Sequence, residues 1–422
     1  MKILIKNGTI INFDSTQKAN VLIENGKIAQ ICKTEPKADK VIDTKGKLIF
    51  PGLIDIHVHF RDPGLTYKED IITGSKAAVA GGVTTCCAMA NTKPINDSTM
   101  ITKYMIDKAN SLGLIDLLPV GAVSSDFKGE QITNMGNLKQ AGCAYFSDDG
   151  LPVVSSDVMR AALEYSAFHG SFISSHSQDC SLSPCGHMNE GKVSMKLGIN
   201  GMPREQEEIM ISRDMLLAKL TGGHIHIAHI SSAYSLKLVQ MAKNQGINIT
   251  CEVTPHHFTL SEDDIGQYDT NYKMSPPLRT KDDVKAMQEG LKSGLIDMIA
   301  TDHAPHSNDD KFTEFDKAPF GIIGLQTLVP LTLNLVNKKI ITLNDMARLC
   351  SKNPANLLNL TDKGEIKVGF KADIAIIDPN LEYIYDAKLN KSKSQNSPFF
   401  GKKLKGLNVL TIKNGKIVYQ YN

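Results

Sequence analysis

In Pro51-Gly52-Leu53-Ile54-Asp55-Ile56-His57-Val58-His59, residues 53–59 read as a short apolar strand closed by two imidazoles. A near-continuous aliphatic run is what a parallel sheet asks of its strands. Side chains alternate along a strand, so His57 and His59 share one face and stand close enough to grip a single cation.

Downstream of this stretch, short β-branched runs alternate with longer helical stretches, the pattern of repeated βα units. The candidate strands are 53–59, 83–89, 116–123, 144–147, 171–177, 224–232, 248–255 and 297–302. Eight parallel strands with helices between them predict a closed (β/α)8 barrel. A helix over 68–80 stops at Gly81-Gly82, and a second over 204–220 carries apolar residues at 209, 210, 215, 216, 217 and 220 as its buried stripe.

The two ends of the chain resemble each other. Asn-Gly sits between short β-branched runs at 5–12, 23–28 and 412–418, the sequence signal of a tight hairpin, and 372–378 adds another strand. Hairpins at both termini predict one small β-sandwich domain built from residues 1–52 and 363–422, with the barrel spanning 53–362. The length of 422 residues accommodates both.

Apolar residues make up 41% and charged residues 22%, which excludes a disordered chain. A formal charge of +2 gives no reason to expect nucleic acid or an anionic membrane as partner. No window reads as a transmembrane helix, and the N-terminal apolar run is too short for a signal peptide. Eight scattered cysteines without a Cys-x-x-Cys pair suit a reducing compartment, so a cytoplasmic location is expected.

Polar residues follow the strands in order. His57 and His59 close the first, Asn91 follows the second, Asp148-Asp149 follow the fourth, His176 ends the fifth, His229 lies late in the sixth, His256-His257 follow the seventh, and Asp302 closes the eighth. Strand C-termini of a barrel meet on one face, so His57, His59, Asp149, His176, His229 and Asp302 are expected to converge there. Imidazole and carboxylate suit Zn2+, with iron, nickel, cobalt or manganese fitting the same ligand types. Six ligands exceed the three usual for one catalytic zinc, so one or two ions are expected, with Asp149 able to bridge a pair. Asp148 is an alternative to Asp149 on spacing alone. Simple alternation sends His224 and His226 toward the outer helices, and His169 and His187 are expected near the surface. His256 and His257 are either supporting groups behind the ligands or packed residues.

With these residues in view, the 51–59 stretch resembles the opening signature of the amidohydrolase superfamily. Phe60-Arg61-Asp62-Pro63-Gly64, Phe146-Ser147-Asp148-Asp149-Gly150, Glu252-Val253-Thr254-Pro255-His256-His257, Ala300-Thr301-Asp302-His303-Ala304-Pro305-His306 and Ala318-Pro319-Phe320-Gly321 are similar to dihydroorotases, specifically the bacterial type I family. The resemblance implies one metal on His57, His59, Asp149 and Asp302 and another on Asp149, His176 and His229. It implies substrate contacts at His59, Arg61, Asn91, Ser275, His306, Phe320 and Gly321. Ser275 stands where the family usually carries Asn, and Ala90 where Pro is common. Asp149 stands where many relatives carry a carboxylated lysine.

The implied reaction is the reversible closure of N-carbamoyl-L-aspartate to L-dihydroorotate and water, in pyrimidine biosynthesis. Asp302 is the expected proton carrier and Arg61 the fork for the substrate carboxylate. Closure consumes a carboxylate and a proton, so synthesis is favoured at lower pH. The segments 150–156 and 303–320 are long enough to cover the site. A homodimer and an association with aspartate transcarbamoylase are implied as partners. Rival readings are an allantoinase or hydantoinase type of cyclic amide hydrolase, disfavoured by Arg61 and Asp149, and a non-catalytic scaffold, disfavoured by the complete ligand set.

Overall fold

In the computed structural model, which describes residues 2–421, Leu53–Val58 is buried throughout and pairs in parallel with Val83–Ala88. That strand pairs with Asp116–Pro119, and the order continues through the bridges Gly121 to Phe146 and Phe146 to Ile173. Ile173–Ser175, Ile225–Ile227, Ile249–Val253 and Met298–Ile299 then pair in sequence, all parallel. His303 bridges Val58, which returns the series to its first member. The predicted strand at 144–147 is reduced to the single bridging residue Phe146.

Two apolar layers flank this series. Inside, Ile54, Ile56, Cys87, Met89, Tyr145, Phe172, Met298 and Ala300 pack together. Outside, Val58, Cys86, Ile225, Ile227 and Val253 pack against helix residues such as Ala77, Leu163, Ile211 and Val239. No helix among the described residues is long and apolar enough to cross a membrane.

The helix predicted over 68–80 starts at Ile71, because Asp70 caps it by accepting from Thr73 N at 2.8 Å. Lys68 is thereby left in the preceding loop, beside the functional face. The helix predicted over 204–220 runs Glu205–Thr221, but its buried stripe differs from the expected one. Ile209, Leu216 and Leu220 are exposed, whereas Glu207 and Asp214 are buried. Both acids are satisfied: Glu207 accepts from Ser231 N at 3.0 Å, and Asp214 from Ser175 Oγ at 2.6 Å. Hydrogen bonds to a neighbouring strand end and loop override the hydrophobic period here.

The termini do combine. One sheet runs Lys416–Gln420, Lys403–Lys413, Ile374–Ile384, Leu48–Pro51, Thr9–Ile11, Thr16–Lys18, so C-terminal strands pair directly with N-terminal ones. A four-stranded sheet of Lys27–Cys32, Asn20–Glu24, Lys2–Lys6 and Lys40–Asp43 shares its core, through Ile3, Ile5, Ile23, Ile49, Ile374 and Ile412. Asn25-Gly26 and Asn414-Gly415 make the expected turns, with φ of 52° and 78° in the first and 47° and 73° in the second. Asn7-Gly8 does not make a hairpin: Lys2–Lys6 and Thr9–Ile11 belong to different sheets. A Cβ at Gly8 would lie 2.5 Å from Ile49 Cδ1, so glycine serves the close crossing between the sheets.

Candidate metal centre and substrate pocket

The six strand-end residues converge as expected, and all are buried. His57 Nε2 and His59 Nε2 each lie 3.3 Å from Asp149 Oδ2, and 3.6 and 3.0 Å from Asp302 Oδ1. Asp149 Oδ1 faces the other way, 3.3 Å from His176 Nδ1 and 3.1 Å from His229 Nε2. Two donor clusters therefore share one carboxylate: His57, His59, Asp149 and Asp302 on one side, Asp149, His176 and His229 on the other. Asp148 is turned away and accepts from Val123 N at 2.7 Å and Ser124 N at 3.1 Å, which removes it as the alternative.

Three of the residues expected at the site hold left-handed backbone: Arg61 at φ 60°, His229 at 32° and Asp302 at 47°. Non-glycine residues pay strain there, and such strain clusters where side-chain aim matters. The turn at His229 also corrects the placement of its neighbours. Ile225 and Ile227 take the face toward the helices, so His224 and His226 point inward against Phe172. Alternation ends with the strand at Ile227, and counting back from His229 therefore inverts the faces.

The donor set fits divalent cations. His57 Nε2 is fully buried with no hydrogen-bond partner, although carboxylates stand on two sides. Burial pushes Asp149 up, but His57, His176 and His229 outweigh it and hold the carboxylate well below its usual range. The same balance, with His57 and His59 prevailing over burial, keeps Asp302 ionised. Three of the imidazoles have an acceptor on the nitrogen that faces away: His57 Nδ1 meets Glu252 Oε1 at 2.6 Å, His59 Nδ1 meets Asn91 Oδ1 at 2.8 Å, and His176 Nε2 meets Gln178 Oε1 at 3.0 Å. Such outer bonds fix the tautomer that leaves a lone pair toward a metal.

A cavity of about 430 Å³ opens over the clusters, lined by His59, Arg61, Asn91, Asp149, His176, Gln178, Ser275, Asp302, His306 and Phe320. A hollow of about 470 Å³ in the terminal sheets is lined by Lys18, Lys33 and Lys45 and holds none of this chemistry. Across the cavity from the clusters, Arg61 donates through Nε to Pro305 O at 3.3 Å, and burial lowers its guanidinium only to about 10, so it stays a cation. His306 Nε2 donates to Phe320 O at 2.8 Å, and its Nδ1 accepts from Lys68 Nζ at 3.2 Å. Burial, then the charges of Arg61 and Lys68, push His306 down and keep it neutral. Ser275 Oγ donates to Gln178 Oε1 at 3.3 Å. Gly321, at φ 154°, is not in the cavity wall; a Cβ there would lie 2.5 Å from Ala304 O.

Reading the sequence missed the roles of Glu252, Gln178 and Lys68. Glu252 carried a signal, being an acid inside an aliphatic strand, and a buried acid needs a partner. Gln178 and Lys68 lie in loops where spacing says nothing. His187, expected at the surface, stands 3.3 Å from Lys273 Nζ and parallel to the Phe320 ring. His257 is a packed group, bonded to Thr254 Oγ1 at 2.8 Å and Pro276 O at 3.0 Å.

Residues 46–235 match the dihydro-orotase-like family, and residues 228–419 match the amidohydrolase family. Dihydroorotases of Geotalea daltonii and Geobacter metallireducens are each 46% identical to this chain over 100% of both sequences. Among solved structures, the L-hydantoinase (dihydropyrimidinase) of Arthrobacter aurescens superposes with a TM-score of 0.89 at 26% identity, covering 99% of this chain and 96% of that one. The D-hydantoinase (dihydropyrimidinase) of a Thermus species does so with 0.82 at 26%, covering 99% and 95%. The chain belongs to the dihydroorotase family of the amidohydrolase superfamily.

Proposed function

We infer that the chain closes N-carbamoyl-L-aspartate to L-dihydroorotate and opens it again, at a centre holding two zinc ions. The observation that carries this reading is Asp149, whose two oxygens divide between two histidine-bearing clusters, opposite a buried arginine. His57, His59, Asp149 and Asp302 would hold one ion, and Asp149, His176 and His229 the other. Bound there, a divalent metal supplies Lewis acidity, activating water near neutral pH and polarising the ring amide carbonyl.

The chain's own groups do the rest. In hydrolysis Asp302 takes the proton from the attacking water and delivers it to the leaving ring nitrogen; in synthesis it removes a proton from the ureido nitrogen. Its ionised state in this site suits the accepting role. Arg61 pairs with the substrate carboxylate through its planar fork, and neutral His306 and Asn91 complete that end. Ser275 and Phe320 would shape the wall against the ureido part, with Gly321 packed behind Phe320 against Ala304 and Ser275 serving through its backbone because its hydroxyl is engaged by Gln178.

The architecture supporting this site is a closed (β/α)8 barrel over 53–362, with a β-sandwich of 1–52 and 363–422. The parallel pairings that return to Val58 and the sheet shared by both termini favour it. The fold likeness to hydantoinases makes an uncharged cyclic amide the second reading, and Arg61 is the feature that separates the two. The test compares L-dihydroorotate with allantoin, hydantoin and dihydrouracil, on purified protein with its metal counted. Turnover confined to L-dihydroorotate, with zinc at two per chain, is expected. Preference for an uncharged ring hands the assignment to the hydantoinase type.

A further inference from the structure

Ile384 pairs with Lys403 across an antiparallel ladder, a position where a few turn residues would suffice. Instead the chain between them leaves the sheet and runs under the functional face. Loops of such length without regular structure are uncommon in compact domains and usually serve function. Here Ser392, Ser394, Asn396 and Ser397 are all buried.

Asn396 makes three side-chain hydrogen bonds to the backbone behind the cavity wall. Its Oδ1 accepts from His306 N at 3.0 Å, and its Nδ2 donates to Ala304 O and to Gly321 O, both at 2.9 Å. Its own carbonyl accepts from Ile323 N at 3.0 Å. One side chain thus ties the 304–306 strip to the 320–321 strip, and these strips carry His306 and Phe320. Two residues earlier, Ser394 Oγ donates to Lys68 O at 2.6 Å, and Lys68 in turn holds His306 Nδ1. Lys393 Nζ donates to Thr66 O at 2.6 Å and pairs with Asp70, and Ser392 Oγ bonds Glu69. All of these bonds fall on the loops carrying Arg61, Lys68 and His306, and none on a residue of the two donor clusters.

We propose that Asn396 is a positioning residue for the carboxylate end of the pocket, so that a segment from the C-terminal strands sets substrate specificity. This rests on the dihydroorotase reading, because only a substrate with a carboxylate at that end senses the placement of His306. The step affected is binding of a non-reacting group, which moves KM and not kcat.

The experiment measures KM and kcat for L-dihydroorotate in the wild type, Asn396→Asp and Ser394→Ala, with zinc content and melting temperature of each. Asn396→Asp keeps the acceptor for His306 N but loses both donors. It should raise KM about tenfold with kcat held within about twofold and zinc unchanged. Ser394→Ala should move KM in the same direction by less. A kcat that falls as much as KM rises, or an unchanged KM beside a lowered melting temperature, overturns the proposal in favour of a purely structural role. If Asn396→Asp does not fold, Ser394→Ala decides alone, and an unchanged KM there overturns it. A wild type silent on L-dihydroorotate is a different failure: it removes the functional reading, and this inference with it.

Discussion

The two sides of the cavity are built on different principles. On the donor side every side chain lies within three residues of the end of a parallel strand, and the nitrogens of His57, His59 and His176 that face away rest on Glu252, Asn91 and Gln178. On the opposite side Arg61, His306 and Phe320 come from longer loops, held by side chains that grip backbone carbonyls: Asn396, Lys273 and Lys311. A site for a cation needs short, fixed distances, which strand ends provide. A site for a substrate end needs only complementary donors, which loops can present once they are tied down. Disturbing the first side should cost turnover or metal, and disturbing the second should cost binding.

The largest effect belongs to Asp302→Asn. The substitution keeps one oxygen for His59 but removes the group proposed to carry the proton, and kcat should fall about 10³-fold. Metal analysis and a melting curve accompany the assay; unchanged turnover would move the proton carrier elsewhere. Next comes Arg61→Ala. Loss of the cation opposite the clusters should raise KM for L-dihydroorotate about 100-fold, the order of one charge-assisted pair, while metal content stays constant. If KM holds and kcat collapses, the two sides are not separable in the way their construction suggests.

The outer bonds give the third test. Glu252→Gln should speed loss of the bound divalent metal to a chelator by about 10- to 100-fold, and Gln178→Ala should do so near the lower end of that range. Glu252 bonds His57, and Gln178 bonds His176, so each should act on one cluster alone. Stoichiometry under chelator competition checks this. Loss of both ions together from either variant would mean that the clusters act as one unit.

The same division explains what the sequence discloses. The order of strands, the joining of both termini and all six donor residues follow from local period and from the rule that strand ends share a face. The exceptions have causes that local period does not carry. His224 and His226 face inward, against alternation counted from His229, because the strand ends at Ile227 and the backbone of His229 turns left-handed. The buried stripe of Glu205–Thr221 departs from the apolar period because Glu207 and Asp214 find partners across the fold, at Ser231 and Ser175. Asn7-Gly8 has the letters of a hairpin and the geometry of a crossing, and what separates them is Ile49, distant in sequence. Asn396 and Lys68 meet His306 only in three dimensions, so nothing near them in sequence marks them.

Lys311 offers the smallest but most selective test. Its ammonium is buried behind the pocket and donates to Thr270 O at 2.9 Å and Pro319 O at 2.8 Å, pinning the carbonyl beside Phe320. Burial, then the neighbouring Lys273, push it down to about 7, with Asp269 and Asp310 opposing and Lys68 adding to the repulsion. An unfolded lysine titrates near 10.5. Between pH 7 and 10.5 the unfolded chain therefore holds a proton that the native state has released, so stability rises with pH across that window. Lys311→Met removes this contribution. The gain in melting temperature from pH 7 to pH 9.5 should shrink by about 2 °C relative to the wild type, and Lys273, pushed down to about 8 by burial, leaves a residual slope of the same sign. Parallel curves for the two proteins would mean that Lys311 keeps its proton throughout. Its three carbonyl neighbours, Lys273 O included at 3.5 Å, would then outweigh burial, since a neutral amine has too few hydrogens for all of them.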